Sequence, residues 1–372
     1  MANQDIISFY RNKKVLITGH TGFKGSWMCA LLKQAGADVT GYALETPSGA
    51  GLSPQPVSLF ELCQIKEGMR SVIGDIRDLE RLLSVFREVR PEIVIHMAAQ
   101  PIVRESYVHP VYTYDVNVMG TVHVLECIRC TDSVRSFINV TTDKVYKNRE
   151  WEWGYRECEE LNGFDPYSNS KSCSELVTDS YKNAFFSGQD KGSAAISTAR
   201  AGNVIGGGDF AADRIIPDCV RAMENGTSIV VRNPHSVRPY QHVLEPVFAY
   251  LMIAARQYEN REYEGCYNVG PEESDCYTTG ELTDLFCREW ERQSGKKVTW
   301  LNRYDGGPHE ANFLKLDCSK IKRVFGWKPV WNLEHAMKQI VDWSLCYLRG
   351  GDTAECMDRQ IQEFTGCIEK RM

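Results

Sequence analysis

The feature that most limits the fold is a glycine-rich turn, Gly19, Gly22 and Gly25 in ITGHTGFKGSW, set between an apolar strand and the start of a helix. The first glycine permits a tight turn, the second lets backbone approach a pyrophosphate, and the third lets helix pack on strand. The helix N-terminus then favours the phosphates. As a bare pattern G-x-x-G-x-x-G is weak. At the head of a β–α series it points to a dinucleotide.

Such a series follows. Apolar runs at 14–19, 38–44, 71–76, 92–99, 136–142 and 194–206 alternate with amphipathic stretches at 79–89, 114–129 and 167–186. Strict alternation implies right-handed crossovers and a parallel sheet covered by helices on both faces. Strands rich in Val and Ile suit burial on both sides. After Gly208 the rhythm breaks into a helix (213–225), a short strand (228–232), a polar loop, an apolar helix (243–257) and a strand-like CYNVG (266–270) able to return to the main sheet. A strand at 296–301 and a late helix follow. The expectation is an α/β, Rossmann-type doubly wound parallel sheet with a smaller, interleaved, mostly helical substrate domain. The dinucleotide domain takes 1–207 plus 236–270, and the substrate domain 208–235 plus 271–372. The role of 350–372 is left open.

With 372 residues and a net charge of −6, nothing advertises nucleic acid or an anionic membrane as partner. No apolar run reaches spanning length and MANQDIISFYRNKK lacks a signal-peptide core, so a soluble cytoplasmic protein is expected. The 14 cysteines are scattered, which suits reduced thiols. Cys127 and Cys130 form a lone CxxC without a second pair, so helix-end packing is preferred and no metal is expected.

Two pairs carry chemistry. Tyr167 and Lys171 form Y-x-x-x-K at a helix start, one turn apart on one face. A phenol is a poor base at neutral pH, but a nearby ammonium favours the phenolate. The pair can then take a proton from a sugar hydroxyl as hydride leaves. Asp143 and Lys144 sit side by side in NVTTDKVYKN, where an apolar strand runs out. As an isolated dipeptide this is a surface ion pair. At the C-terminal end of a parallel strand, where such folds bind ligands, it is an acid and a base.

The cradle, GDIRD (74–78), MAAQP (97–101), NVMGT (117–121), TTDK (141–144), YSNSK (167–171), RAGNVIGG (200–207) and RPYQHV (238–243) fall in an order that resembles the extended short-chain dehydrogenase/reductase family. More narrowly, GHTGFKGSW, SLFE, GMRSVIGDIRDL, TTDKVYKNREWEWGYRE and GGGDFAADRIIPD look like the CDP-glucose 4,6-dehydratases. The resemblance implies NAD as retained cofactor, CDP-glucose as substrate, and a homodimer or homotetramer built through helices at 107–129 and 167–186. It also implies a reaction in which C4 is oxidised, water leaves across C5 and C6, and the hydride returns to C6. Asp143, if protonated, is then the acid for the C6 hydroxyl. Lys144, if neutral, is the base at C5, or else serves the cofactor or orients the sugar. Thr142 hydrogen-bonds the C4 oxygen. Both partners need shifted pKa values, upward for the acid and downward for the lysine.

Carried over residue by residue, the resemblance assigns Gly19, His20, Gly22, Phe23, Lys24 and Gly25 to the cofactor, with Asp75, Ile76, Ala98, Ala99, Gln100 and Asn117, besides Tyr167 and Lys171. For Ile76 the rival is ordinary core, for Asn117 a helix-start polar residue, and for His20 a loop histidine exposed to water. It assigns Arg104, Asn203, Arg214, Arg232 and Arg238 to the substrate, Arg214 and Arg232 more weakly. An Arg fork suits paired phosphate oxygens. The stretch 34–65 holds no Lys or Arg, which favours NAD over NADP. Glu45, at the end of the second strand, is equally a ribose acceptor or a solvated acid. His96 is expected to be a satisfied core histidine, and Trp27, Trp151, Trp153 and Trp327 to be packing. The rivals are a UDP-sugar 4,6-dehydratase, a nucleotide-sugar 4-epimerase, which needs no acid–base pair at 143–144, and a non-catalytic dinucleotide sensor, which needs no Tyr/Lys pair.

Overall fold

Seven apolar runs form one sheet in the computed structural model, which describes residues 3–46, 58–187, 193–303 and 313–370. The strands are β1 (Lys14–Thr18), β2 (Asp38–Ala43), β3 (Arg70–Ile73), β4 (Ile93–His96), β5 (Ser136–Val140), β6 (Ala195–Ala201) and β7 (Cys266–Val269). Their order is β7-β6-β5-β4-β1-β2-β3, every pairing parallel. CYNVG does return to the sheet, as its edge strand. The order reverses between β1 and β4, and ligands of open α/β sheets bind in the crevice above such a reversal.

Period-two alternation divides the sheet between two cores. Val15, Ile17, Ile93, Ile95, Ile138 and Val140 face the helices α1 (Phe23–Gln34) and α6 (Leu244–Glu259). Leu16, Val94, Phe137 and Ile196 face α2 (Leu79–Val89) and α3 (Gly120–Arg129), with α4 (Pro166–Tyr181) beside α3. A third core joins α5 (Ile215–Glu224), α7 (Thr279–Ser294) and α8 (Leu333–Leu348) to a parallel ladder of Ile229–Val231 with Trp300–Asn302. Only the end of the expected 296–301 strand is therefore extended.

The expected 114–129 helix begins as a π-turn, Asp115–Met119, and becomes α3 at Gly120. That glycine lies against Ile76, whose Cγ2 would stand 2.7 Å from an added Cβ. The unplaced tail forms α9 (Thr353–Lys370), whose Cys356, Met357, Ile361, Phe364 and Ile368 are buried at helical spacing. They join the core shared by α1 and α6, and Gln34 of α1 donates to Asp358 at 2.7 Å.

Candidate active site

The glycine turn has the shape a pyrophosphate cradle requires. Gly19 adopts φ +78°, and an added Cβ there would lie 2.8 Å from the Ala98 nitrogen. At Gly25 it would lie 2.2 Å from the Gly19 oxygen. At Gly22 it would meet just that oxygen, at 3.4 Å. Gly22 caps α1 with no side-chain hydrogen bond, so the turn presents bare backbone at a helix N-terminus. This cradle fits the diphosphate of a dinucleotide. Phe23 packs on Gly206, where an added Cβ would stand 2.9 Å from Cζ. Lys24 turns into the site. Burial and Arg214 push its ammonium down to about 8, against Asp143 and Asp209.

His20 is not the water-exposed loop residue its position suggested. It is fully buried under β2, with its ring where any side chain at Gly41 would stand. Nε2 pairs with Ser71 at 2.7 Å, and burial lowers the imidazole to about 4. Ile76 is buried in the second core. The Asp75 carboxylate is held by Arg77 at 2.7 Å, which keeps it below the usual carboxylate range. Glu45 is exposed at the end of β2. Of the stretch without basic residues, 47–57 lie outside the described residues.

Above β4, Met97 and Ala98 donate to the Thr18 hydroxyl, and Ala98 and Ala99 stay half-buried. The Asn117 amide closes the next turn. It accepts from the Gln100 nitrogen at 2.8 Å and donates to the Gln100 oxygen at 3.1 Å and to Ser170 at 2.9 Å. Its hydrogen bonds are thus spent tying this turn to the helix that carries Tyr167 and Lys171. His96 is a satisfied core histidine, bonded to Thr18 at 2.7 Å and Thr121 at 3.2 Å.

The two pairs singled out in the sequence meet at the C-terminal end of β5. Asp165 starts α4 by accepting from the Ser168 nitrogen at 3.0 Å, with Pro166 in the first turn, which sets Tyr167 at the mouth of the crevice. The phenol is buried and pushed up to about 12, although the nearby Thr142 hydroxyl and Arg214 act against that. Lys171 donates to the Val140 oxygen at 3.2 Å, and burial, with Lys24, lowers it to about 7. Asp143 and Lys144 open a single 3₁₀ turn whose cap is Thr142. Thr142 donates to Asp143 Oδ1 at 3.0 Å. Asp143 is 1% exposed, and its Oδ2 has no protein partner. Burial raises its pKa despite Lys144, Thr142 and Arg238. The carboxyl therefore has the direction of shift an acid needs. Lys144 is half-buried.

The arginines gather on the facing wall. Arg238 is buried within electrostatic reach of Asp143. Arg214 pairs with Asp209 at 2.9 Å and reaches Tyr167 and Lys24 electrostatically, so it stands closer to the chemistry than its sequence context suggested. Arg232 and Arg104 converge on Asp213, at 2.5 and 3.9 Å. Asn203 is half-buried, and its carbonyl accepts from the Gln241 nitrogen at 3.0 Å. Trp27 and Trp327 are buried packing as expected, and Trp151 is half-buried. Trp153 is not, being 66% exposed with an edge contact to Trp151.

Sequence reasoning missed Tyr250, a buried phenol of α6 within electrostatic reach of Tyr167 and Asp143. Nothing in LEPVFAYLMIAA distinguishes it from core. It also missed Glu175 and Arg200, a buried ion pair below the site. Glu175 continues the spacing of four from Tyr167 through Lys171, which was a usable signal.

A family model described as GDP-mannose 4,6 dehydratase matches residues 16–340. The CDP-glucose 4,6-dehydratase of Salmonella typhimurium is 46% identical over 360 residues, covering 96% of this chain and 97% of that protein. Among solved structures, the dTDP-glucose 4,6-dehydratase of Bacillus anthracis in complex with NAD superposes with a TM-score of 0.72 at 20% identity, over 93% of this chain and 99% of that one. The UDP-glucose 4-epimerase of Thermotoga maritima with UDP-glucose gives 0.73 at 22% identity, over 90% and 99%. These two likenesses establish the fold, which dehydratases and epimerases share. The match along most of the sequence goes further, and by it the chain belongs to the GDP-mannose 4,6 dehydratase family.

Proposed function

We propose that the protein is a CDP-glucose 4,6-dehydratase that retains NAD. The observation that carries the reading is the buried Asp143, its carboxyl shifted upward, beside Lys144 on a turn whose Thr142 lies close to the Tyr167 phenol. A 4-epimerase on this fold has no use for such a pair. The 46% identity to a CDP-glucose 4,6-dehydratase supports the choice of nucleotide.

In this reading Tyr167 takes the C4 hydroxyl proton, with Arg214 acting against the burial that disfavours the phenolate and Lys171 one helical turn away on the same face. NAD, when bound, supplies the hydride acceptor for C4 and the donor for C6. The new ketone acidifies the C5 proton, which Lys144 removes and returns to C5 once C6 is reduced. Asp143 gives its proton to the C6 hydroxyl, which departs as water. Thr142 orients the C4 oxygen. Arg238, Arg214 and Arg232, with Arg104 and Asn203, would hold the nucleotide diphosphate, and Lys24, within electrostatic reach of Arg214 and Asp143, would serve the cofactor. The absence of Lys and Arg at 34–65 supports NAD over NADP. We keep the division into a cofactor side and a nucleotide-sugar side, except that α9, expected with the latter as part of 271–372, packs on the former.

No helix among the described residues is long and apolar enough to cross a membrane, and we infer a cytoplasmic enzyme. Val108 and Val111, 67% and 82% exposed, and Leu176 and Phe185, 56% and 55% exposed, support pairing of two subunits through the proposed helices. The test is a panel of CDP-, dTDP-, GDP- and UDP-glucose, scored by alkaline absorbance of a 4-keto-6-deoxy product. Turnover of CDP-glucose above the others is expected. Turnover of a UDP-sugar alone overturns the nucleotide, and C4 epimer without dehydration overturns the reaction.

A further inference from the structure

The catalytic turn rests on one buried ion pair. Glu175 and Arg200 are each 2% exposed. Arg200 Nε and Nη2 donate to the two Glu175 oxygens, both at 2.9 Å. Charges so deeply buried require further partners. Here the partners lie in the segments that build the site. Thr141 donates to Glu175 Oε1 at 2.5 Å, and Thr198 to Oε2 at 2.7 Å. Arg200 Nη1 donates to the Tyr146 hydroxyl at 2.8 Å and the Glu157 carbonyl at 3.1 Å. Tyr146 in turn donates to Asn268 Oδ1 at 2.6 Å.

The placement of these bonds is specific. Thr141 immediately precedes Thr142, and Tyr146 immediately follows Val145. The turn that holds Asp143 and Lys144 is therefore gripped at both ends by the same ion pair. Glu175 also lies one helical turn beyond Lys171, which lies one turn beyond Tyr167. The pair thus joins the turn to the helix that carries the oxidising residues. Stability alone is a weak reason for such a pair, since well-packed apolar residues of similar volume often serve as well or better. What a forked guanidinium adds is direction.

We propose that Glu175 and Arg200 are positioning residues that fix the Asp143–Lys144 turn against the Tyr167–Lys171 pair, so that a sugar oxidised at C4 already has its C5 proton at the base and its C6 hydroxyl at the acid. The proposal rests on the dehydratase reading. Misplacement of a reacting group by an ångström can cost about a hundredfold in rate. Oxidation relies chiefly on Tyr167 and Lys171 of α4, with the single contact of Thr142 from the turn, whereas elimination needs Asp143 and Lys144 of the turn in register with α4. Elimination should therefore suffer more.

The test is single turnover of CDP-glucose by the NAD-loaded Glu175→Gln/Arg200→Met double variant, following reduced-cofactor absorbance and 4-keto-6-deoxy product together. The double variant removes both charges at once, so neither is left buried alone. Loss of the Glu175 charge also reaches Lys171, so the readout is the ratio: elimination should slow by about 10-fold or more relative to oxidation, and reduced cofactor accumulates. Exchange of the C5 proton with deuterated solvent should fall in step. Thr141→Val, which removes one grip and keeps the volume, should shift the ratio in the same direction and serves if the double variant does not fold. A loss shared equally by both steps means the pair is merely structural and overturns the proposal, as does an unchanged ratio in Thr141→Val. If wild type itself forms no 4-keto-6-deoxy sugar, the dehydratase reading falls and takes this proposal with it. A wild type that dehydrates beside variants that keep its ratio overturns the positioning role alone.

Discussion

Gly22→Ala and Gly25→Ala separate two tasks of the cradle. At Gly25 the new methyl would sit 2.2 Å from the Gly19 oxygen and 2.7 Å from His20 Cα, both backbone atoms. Ordinary contact begins at 3.4 Å, so α1 or the turn must move by 1.2 Å. Overpacking of this kind costs about 1–3 kcal/mol. If the displaced turn loses that much of its grip on the pyrophosphate, the NAD dissociation constant rises about 5- to 150-fold. At Gly22 the methyl meets just the Gly19 oxygen, at 3.4 Å, and the backbone at φ −79° accepts alanine. Stability should then change by less than about 0.5 kcal/mol. The methyl nevertheless stands where the pyrophosphate must approach, so NAD affinity should fall about tenfold or more. Urea unfolding and calorimetric NAD titration of both variants give the two quantities separately. A stable Gly22→Ala protein that binds NAD as wild type does would refute the placement of the pyrophosphate over Gly22.

Tyr167→Phe should abolish reduction of NAD, whereas Asp143→Asn and Lys144→Met should still oxidise C4 and then stall, with losses of about 100- to 10,000-fold in product. Asp143→Asn should retain C5 exchange with deuterated solvent, and exchange at the wild-type rate in Lys144→Met would show that Lys144 is not the base. Val111→Glu with Leu176→Glu should convert a dimer to monomer in sedimentation, and an unchanged species would move the interface elsewhere. Burial holds His20 at about 4, and His96 and His242 at about 3, below the ordinary 6.5. The unfolded chain therefore takes up protons first, and stability present above pH 6.5 is lost as pH falls toward 3. Each histidine contributes at most about 2 kcal/mol of that loss at pH 5. Urea midpoints flat between pH 7.5 and 5 would contradict it.

The central sheet was legible because each strand is an apolar run bounded by turns, and because doubly wound order follows from alternating β and α. CYNVG could be recognised as a returning strand by the same signal. The tail was not legible. Its apolar residues at 356, 357, 361, 364 and 368 mark an amphipathic helix, but its partner, the face of α1 and α6, lies far away in sequence. The π-turn at Asp115–Met119, from which Asn117 reaches Gln100, has no signal of its own in the helical spacing. At the site, glycine spacing and Y-x-x-x-K carried their own geometry. His20 did not, since Gly41, a strand away, supplies the space for its ring. Arg214 looked like a surface arginine because its neighbours Tyr167 and Lys24 are distant in the chain.

The most direct test of the account follows one atom. CDP-glucose carrying deuterium at C4 is turned over by the NAD-loaded enzyme, and the product is read by NMR. Oxidation and elimination on one bound sugar predict deuterium at C6 of the 4-keto-6-deoxy product, with none released into free reduced cofactor. Label back at C4 in an epimerised sugar, or lost to free cofactor with no 6-deoxy product, would contradict it.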